Sequence, residues 1–210
     1  MSEQQTKYFR TFHLPWSESV ADDDIVRKSP FCEDDDVVVT IKMDGENFTG
    51  YNSGNTHARS INSGAHVSRD FVKAYWRSIS YNLPIGWRVC GENLYAKHSI
   101  HYTNLKSYLY VFSIWNEHNE CLSWDDTMEW ADMLGLTLVD VIYKGKYDEA
   151  AIKNSFLPFK DEHEGYVVRN AKGFKYEEAP MNIAKYVRKN HVQTSDHWMF
   201  QEVVPNKLAG

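Results

Sequence analysis

The chain has 210 residues, 42% hydrophobic and 14% aromatic with seven Trp, which is enough for one domain with a full core. No 18-residue apolar run and no signal-peptide pattern occurs, so nothing is expected to span or enter a membrane. The net charge of −6 argues against a protein that coats nucleic acid without specificity.

In chain order, His13-Leu14-Pro15-Trp16-Ser17 precedes an acidic run at Asp22-Asp23-Asp24. Pro15 and Ser17 predict a turn and a helix N-cap, with Trp16 packing back on the core. A second acidic cluster, Glu33 to Asp36, leads into Val37-Val38-Val39-Thr40-Ile41-Lys42. These β-formers, the turn-forming Asp44-Gly45 pair and the following Glu46-Asn47-Phe48-Thr49 predict a hairpin over 36–51, with Lys42 near its mouth. A lysine there reads either as an edge-strand residue that blunts pairing or as a nucleophile. A nucleophilic lysine must be neutral to attack phosphorus, which needs neighbouring cations or desolvation.

Turn signals at 52–55 and 62–64 bracket a short strand over 56–61, making a meander. Residues 66–80 predict a helix with Phe71, Val72, Tyr75 and Ile79 on one face and Ser68 as cap. Strands follow at 87–92 and 108–115. A helix is expected over 124–135, with Met128, Ala131 and Leu134 inward and Gly135 closing it. Then come a strand at 138–143, a short helix at 148–155, and strands at 164–170 and 184–189. With no linker, repeat or low-complexity tract, residues 1–210 read as a single α+β domain built on antiparallel sheets.

Cys32, Cys90 and Cys121 are odd in number and share no metal-type spacing, which fits a reduced cytoplasmic protein without disulfides. From Gly165 to Asn190 six basic residues (Arg169, Lys172, Lys175, Lys185, Arg188, Lys189) face two acids, Glu177 and Glu178. A basic face on an acidic body suits a phosphate-bearing substrate, and equally a solvated strand pair. His98 and His101 have no further ligand set and read as structural. Cys90 reads as a buried strand residue, and Trp76, Trp115, Trp124 and Trp130 as core. Lys97 is a candidate phosphate contact.

The polar residues at strand ends are Lys42, Arg59, Glu92, Glu164 and Lys185, with Phe112 between them. The ring can stack a base and one carboxylate can grip a ribose hydroxyl. The other carboxylate can hold a divalent metal, and the cations can neutralise phosphate oxygens. Such a set suits transfer of a nucleotidyl group.

The motifs carry a resemblance. Lys42-Met43-Asp44-Gly45-Glu46-Asn47 resembles motif I of the covalent nucleotidyltransferase superfamily, and Gly91-Glu92-Asn93 resembles motif III. Residues 110–115 resemble motif IIIa, Glu164 to Arg169 motif IV, and Ala184 to Lys189 motif V. The forms at 42–47 and 164–169 are most similar to ATP-dependent RNA ligases of the RNA ligase 2 group, over roughly Val37 to Lys189. The resemblance implies an ATP-grasp-like ligase domain of two antiparallel sheets flanked by helices, and the roughly twenty residues after Lys189 are too few for an OB-fold, so none is expected. It also implies an ATP-dependent RNA ligase that joins 3′-hydroxyl and 5′-phosphate ends through lysyl-AMP and AMP–nucleic acid intermediates, with Mg²⁺ or Mn²⁺.

By the same resemblance, Lys42 attacks the α-phosphate, and Asn47 touches the nucleotide or the nick phosphate. Arg59 binds phosphate, Glu92 the ribose, Phe112 stacks on adenine and Glu164 organises metal. Lys185 contacts the α-phosphate and lowers the pKa of Lys42. Two departures stand out. Ser113 replaces the aspartate that usually follows the motif IIIa aromatic, and motif V lacks its usual Lys-x-Lys. Regular strand alternation would make Lys189, rather than Arg188, the second cation. A monomer acting on RNA ends is expected, gripping nucleic acid by this domain alone or with a partner protein. A DNA or mixed-strand ligase, a capping-type guanylyltransferase and a non-catalytic end-binding module are the alternatives.

Overall fold

The computed structural model describes residues 4–21, 25–189 and 202–210; the acidic run at 22–24 lies outside them. The strands are β1 (Phe12–His13), β2 (Asp36–Lys42), β3 (Glu46–Tyr51), β4 (Thr56–His57), β5 (Arg88–Asn93) and β6 (Leu109–Trp115). They continue with β7 (Glu120–Cys121), β8 (Thr137–Leu138), β9 (Val141–Lys146), β10 (Gly165–Asn170), β11 (Phe174–Lys175) and β12 (Ile183–Val187). The helices are α1 (Asp70–Ile79), α2 (Trp124–Met133), α3 (Glu149–Phe156) and the single turn α4 (Ala179–Asn182).

Two sheets form, as expected of an α+β fold. One has the order β1-β12-β10-β2-β9, the other β11-β7-β6-β5-β3-β4 with β8 beside β6. The pairings are antiparallel apart from β1 with β12 and β6 with β8.

The expected hairpin over 36–51 does not form. β2 and β3 belong to different sheets, and residues 43–45 carry the chain from one to the other. The reason lies in β2 itself. Val37 to Ile41 are consecutively buried, so both faces of the strand need cover, which an interior strand between β10 and β9 provides. The edge-strand reading of Lys42 falls with the hairpin. The predicted strand at 138–143 divides for a similar reason, Thr137–Leu138 pairing with β6 and Val141–Lys146 with β2.

Helices α1 and α2 cover the outer face of the second sheet, where Val72, Trp76, Ala131 and Leu134 pack with Phe48, Val89, Val111 and Ile114. Phe71 and Met128, expected inward, are exposed, while Trp76 and Thr127 take the buried positions. Ser68 does not cap α1. It lies in a short 3₁₀ turn, and its own N–H donates to His66 Nδ1 at 3.3 Å. Gly135 takes φ +65° beyond α2, as its expected role requires. Asp148 caps α3 by accepting the Ala151 N–H at 2.9 Å.

Ser17 caps no helix. Its hydroxyl accepts the Val187 N–H at 2.9 Å and fastens the N-terminal segment to β12. Trp16 does pack back on the core, donating its indole N–H to the Tyr166 hydroxyl at 2.8 Å. The three thiols are free, with Cys90 and Cys121 buried. Among the described residues no helix is long and apolar enough to cross a membrane.

Candidate active site

Side chains two apart on a strand share a face, and directly paired residues share it across strands. Lys42 pairs with Gly165, Thr40 with Val167, and Val38 with Arg169; Val167 in turn pairs with Lys185, and Arg169 with Ile183. Lys42, Thr40, Val167, Arg169, Lys185 and Ile183 thereby meet on one face and line a cavity of about 780 Å³ between the sheets. Glu164 immediately precedes β10, so the Lys42–Gly165 pairing delivers its carboxylate to the Lys42 ammonium at 2.5 Å. Gly165 has no substitute there, since a Cβ would run into the Tyr186 carbonyl oxygen.

The second sheet supplies the opposite wall. Asn47 and Glu92 pair across β3 and β5, and the Glu92 carboxylate accepts the Gly45 N–H at 3.1 Å. A Cβ on Gly45 would lie 2.6 Å from the Asn93 carbonyl oxygen, so the turn after Lys42 closes this tightly only with glycine. Asp44 faces away from the cavity and accepts the N–H groups of Ser99 and Ile100, each at 2.8 Å.

Phe112 owes its orientation to a β-bulge. Cys90 pairs with Ser113 and Gly91 with Val111, which leaves Phe112 as the extra residue of β6. A bulge re-aims a side chain, and Phe112 turns to the cavity while Val111 and Ser113 on either side are buried. Ser113 accepts the Trp115 indole N–H at 3.0 Å. The residue that departs from motif IIIa is thus a buried partner of the core.

The charges are arranged asymmetrically. Burial acts to lower the Lys42 pKa, but the carboxylates of Glu164, Glu92 and Asp44 outweigh it and push the amine up to about 12. The shift runs upward, opposite in direction to the lowered value that the resemblance implies for Lys42. Glu92 is pushed up to about 8, first by burial and then by Glu164 and Asp44, with Lys42 opposing them.

Of the residues expected at the site, Lys42, Asn47, Arg59, Glu92, Phe112 and Lys185 all line the cavity, and Glu164 joins them through Lys42. Lys189 does not. β12 ends at Val187, so the alternation argument has no strand to run along. Lys189 lies exposed, its N–H donating to Glu18 at 3.0 Å. Arg188 points its Nε at the His163 carbonyl oxygen, 2.7 Å away and next to Glu164. Lys97 is exposed and off the cavity wall, whereas His98 lies on it.

Sequence reasoning missed two groups at the cavity. Arg69 grips Glu46 with two N–H groups, Nε to Oε2 at 2.7 Å, and also holds the Gly64 carbonyl oxygen. Glu46 sat in plain view inside the motif I stretch, but nothing in the sequence signalled its partner. Tyr8 and Phe9 stack at 4.4 Å, and Tyr8 meets the Phe112 ring edge-on at 5.3 Å. Two adjacent aromatics upstream of β1 were the available signal.

Among the described residues no cluster of three His, Cys, Asp or Glu side chains could by itself hold a metal. The donor chemistry still fits a hard cation of the magnesium type. Such ions take one or two carboxylates and complete their shell with substrate phosphates and water, and Glu164 is a carboxylate at the cavity beside Lys42. Asn47 Oδ1 is buried without a hydrogen-bond partner, an acceptor on the same wall.

Residues 35–187 match the model of a family described as RNA ligase. No curated protein sequence matches the chain. Among solved structures, an archaeal ATP-dependent RNA ligase is 19% identical with a TM-score of 0.51, covering 75% of this chain and 43% of that one. An Aquifex aeolicus chain assigned as an ATP-dependent DNA ligase is 21% identical with a TM-score of 0.50, covering 74% and 44%. A Naegleria gruberi RNA ligase mutant with AMP and Mn is 14% identical with a TM-score of 0.51, covering 74% and 50%. The chain therefore spans half or less of each of these structures, and at such identities the likeness establishes the fold.

Proposed function

The chain belongs to the RNA ligase family, and from that premise we propose that it joins 3′-hydroxyl and 5′-phosphate ends of RNA at the expense of ATP. The observation that carries this reading is the convergence of Lys42, Glu92, Phe112 and Lys185 on one cavity, with Glu164 on the Lys42 ammonium.

Neutral Lys42 Nζ attacks the α-phosphorus of ATP. The P–N bond forms as the bond to pyrophosphate breaks, and the displaced proton leaves to solvent. A 5′-phosphate oxygen of RNA then attacks the AMP phosphorus as the P–N bond breaks and Lys42 regains a proton, and the 3′-hydroxyl, giving up its proton to solvent, attacks that 5′-phosphorus with AMP as the leaving group. Phe112 stacks the adenine and Glu92 accepts from the ribose. Lys185 and Arg59 neutralise phosphate oxygens where negative charge develops. Loss of the Glu164 contact and the approach of Lys185 both act to lower the Lys42 pKa toward the reactive form. Magnesium or manganese, held through Glu164, supplies further neutralisation of the phosphates when bound.

The protein acts as a monomer on RNA ends, and the free thiols fit a reducing, cytoplasmic setting. The test is incubation of the purified chain with magnesium, ATP or GTP, and end-labelled 5′-phosphorylated strands of RNA or DNA, nicked and single. ATP-dependent sealing of RNA is the expected result. No sealing, and no transfer of AMP to a 5′-phosphate, would overturn the proposal. Sealing of DNA alone would move the acceptor to the DNA-ligase reading.

A further inference from the structure

Asn206 is 1% exposed, and every polar group of its side chain is engaged. Oδ1 accepts the Tyr102 N–H at 2.9 Å, while Nδ2 donates to the carbonyl oxygens of Leu94 at 2.8 Å and Ala96 at 3.2 Å. Its backbone adds to the grip. The Asn206 N–H donates to the Tyr95 carbonyl at 2.8 Å, and its carbonyl accepts the Tyr108 hydroxyl at 3.0 Å. One carboxamide therefore ties the start of the loop after β5 to its middle. That loop has no helix or named strand of its own between β5 and β6, so its shape rests on such bonds.

The loop in turn holds the turn that follows Lys42. Ser99 and Ile100 donate to the Asp44 carboxylate, each at 2.8 Å, and the Tyr102 hydroxyl accepts the Asp44 N–H at 3.0 Å. Met43, the one residue between Asp44 and Lys42, is buried. A continuous path thus runs from Asn206 through Tyr102 and Asp44 to the lysine.

We infer that Asn206 is a positioning residue for the nucleophile, acting through Tyr102 and Asp44 to fix where the Lys42 amine sits. The inference rests on the reading of Lys42 as the nucleophile. Asparagine suits the post because one small side chain must present an acceptor and two donors at once. Alanine there leaves the Tyr102 N–H and two carbonyls buried and unpaired. The lysine then keeps its chemistry and loses its aim.

The test uses the full chain and Asn206→Ala, with Tyr102→Phe as a milder second variant that keeps the Asn206 clasp and removes only the Asp44 acceptor. The first readout is amide hydrogen exchange. In Asn206→Ala the Asp44, Ser99 and Ile100 amides should exchange faster by about tenfold or more, while those of β2 stay protected. The second is enzyme–AMP formation at a temperature where each variant is folded. The rate at saturating ATP should fall by about tenfold or more, with the ATP concentration for half-maximal rate within about twofold. The double variant should be no slower than the slower single one, because both cut the same path. Unchanged exchange at Asp44, an unchanged rate, or multiplicative effects in the double variant would each overturn the inference. Absence of enzyme–AMP in the parent protein would instead overturn the ligase reading and the catalytic half of this one, with exchange still deciding whether Asn206 reaches Asp44.

Discussion

The Lys42 ammonium and the Glu164 carboxylate meet at 2.5 Å across the pairing of β2 with β10. The amine proposed as nucleophile is thereby held in its protonated form, at about 12 against an ordinary 10.5. A group raised in the folded state stabilises the fold fully below its unfolded pKa and loses that contribution as pH climbs through the folded value. Stability from this contact should therefore stay constant from neutral pH to about 10 and decline only above that. The reaction needs the neutral amine, so the initial rate of enzyme–AMP formation should rise steadily from neutral pH to about 9, while the melting temperature, read on Glu92→Gln to remove the titration of Glu92, stays level. Initial rates and thermal melts in the same buffers check both. A rate that is flat with pH would mean that deprotonation of Lys42 is not limiting.

Glu92 sets function against stability. Its carboxyl is pushed up to about 8 from 4.5, chiefly by burial. Ionising it costs nothing extra below about pH 4.5, and the penalty grows until it is complete above about 8. Glu92→Gln should therefore stabilise the protein at pH 9, by about 1 kcal/mol or more, or a few degrees in melting temperature. Below about pH 5 it should change little. The same variant should lose most enzyme–AMP formation, since its one oxygen is taken by the Gly45 N–H and an NH2 donor replaces the acceptor offered to the ribose. Melting curves at the two pH values, set beside adenylation assays, distinguish this from a purely structural glutamate, whose loss would destabilise at both.

Phe112 is offered to the cavity by its bulge. Phe112→Ala should weaken ATP use by about 1–3 kcal/mol, typical of base–aromatic stacking, and Phe112→Tyr much less. ATP-concentration dependence of adenylation reads this directly. A drop in melting temperature with unchanged ATP dependence would place Phe112 in the core alone.

Much of this site was legible because its residues fall in β-rich stretches, several punctuated by glycine, although Phe112 and Lys185 lie in mid-strand and not at the strand ends expected of them. Lys42, Glu92, Phe112 and Lys185 could be placed in order from such stretches, and the cavity collects them. The partnership of strands was less legible. A buried run such as Val37 to Ile41 with Asp44-Gly45 after it fits a hairpin locally, and only the need to cover both faces sends β3 to another sheet. Bonds between distant segments left no trace at all. Arg69 with Glu46, and Asn206 with Tyr102, depend on contacts that no periodicity encodes.

The end of β12 revises the expected second cation. Lys189→Ala should leave enzyme–AMP formation within about twofold of the parent, as for an exposed side chain away from the site. Arg188→Ala should slow it by more, because Arg188 Nε holds the His163 carbonyl beside Glu164. Lys185→Ala should be the most severe of the three. Parallel adenylation assays of these variants rank them, and a Lys189→Ala defect as large as that of Lys185→Ala would restore the two-lysine clamp.

The proposed ligase chemistry stands or falls on Lys42 carrying the nucleotide. The direct measurement is intact-protein and peptide mass spectrometry after incubation with ATP and magnesium, on the parent chain and on Lys42→Ala. The parent is expected to gain one acid-labile AMP, mapped to the peptide containing Lys42 and released by added pyrophosphate. None is expected on Lys42→Ala, which stays folded although Glu164 loses its ion-pair partner. A comparable AMP adduct on a folded Lys42→Ala protein, or an adduct mapped to any other residue of the parent, would contradict it.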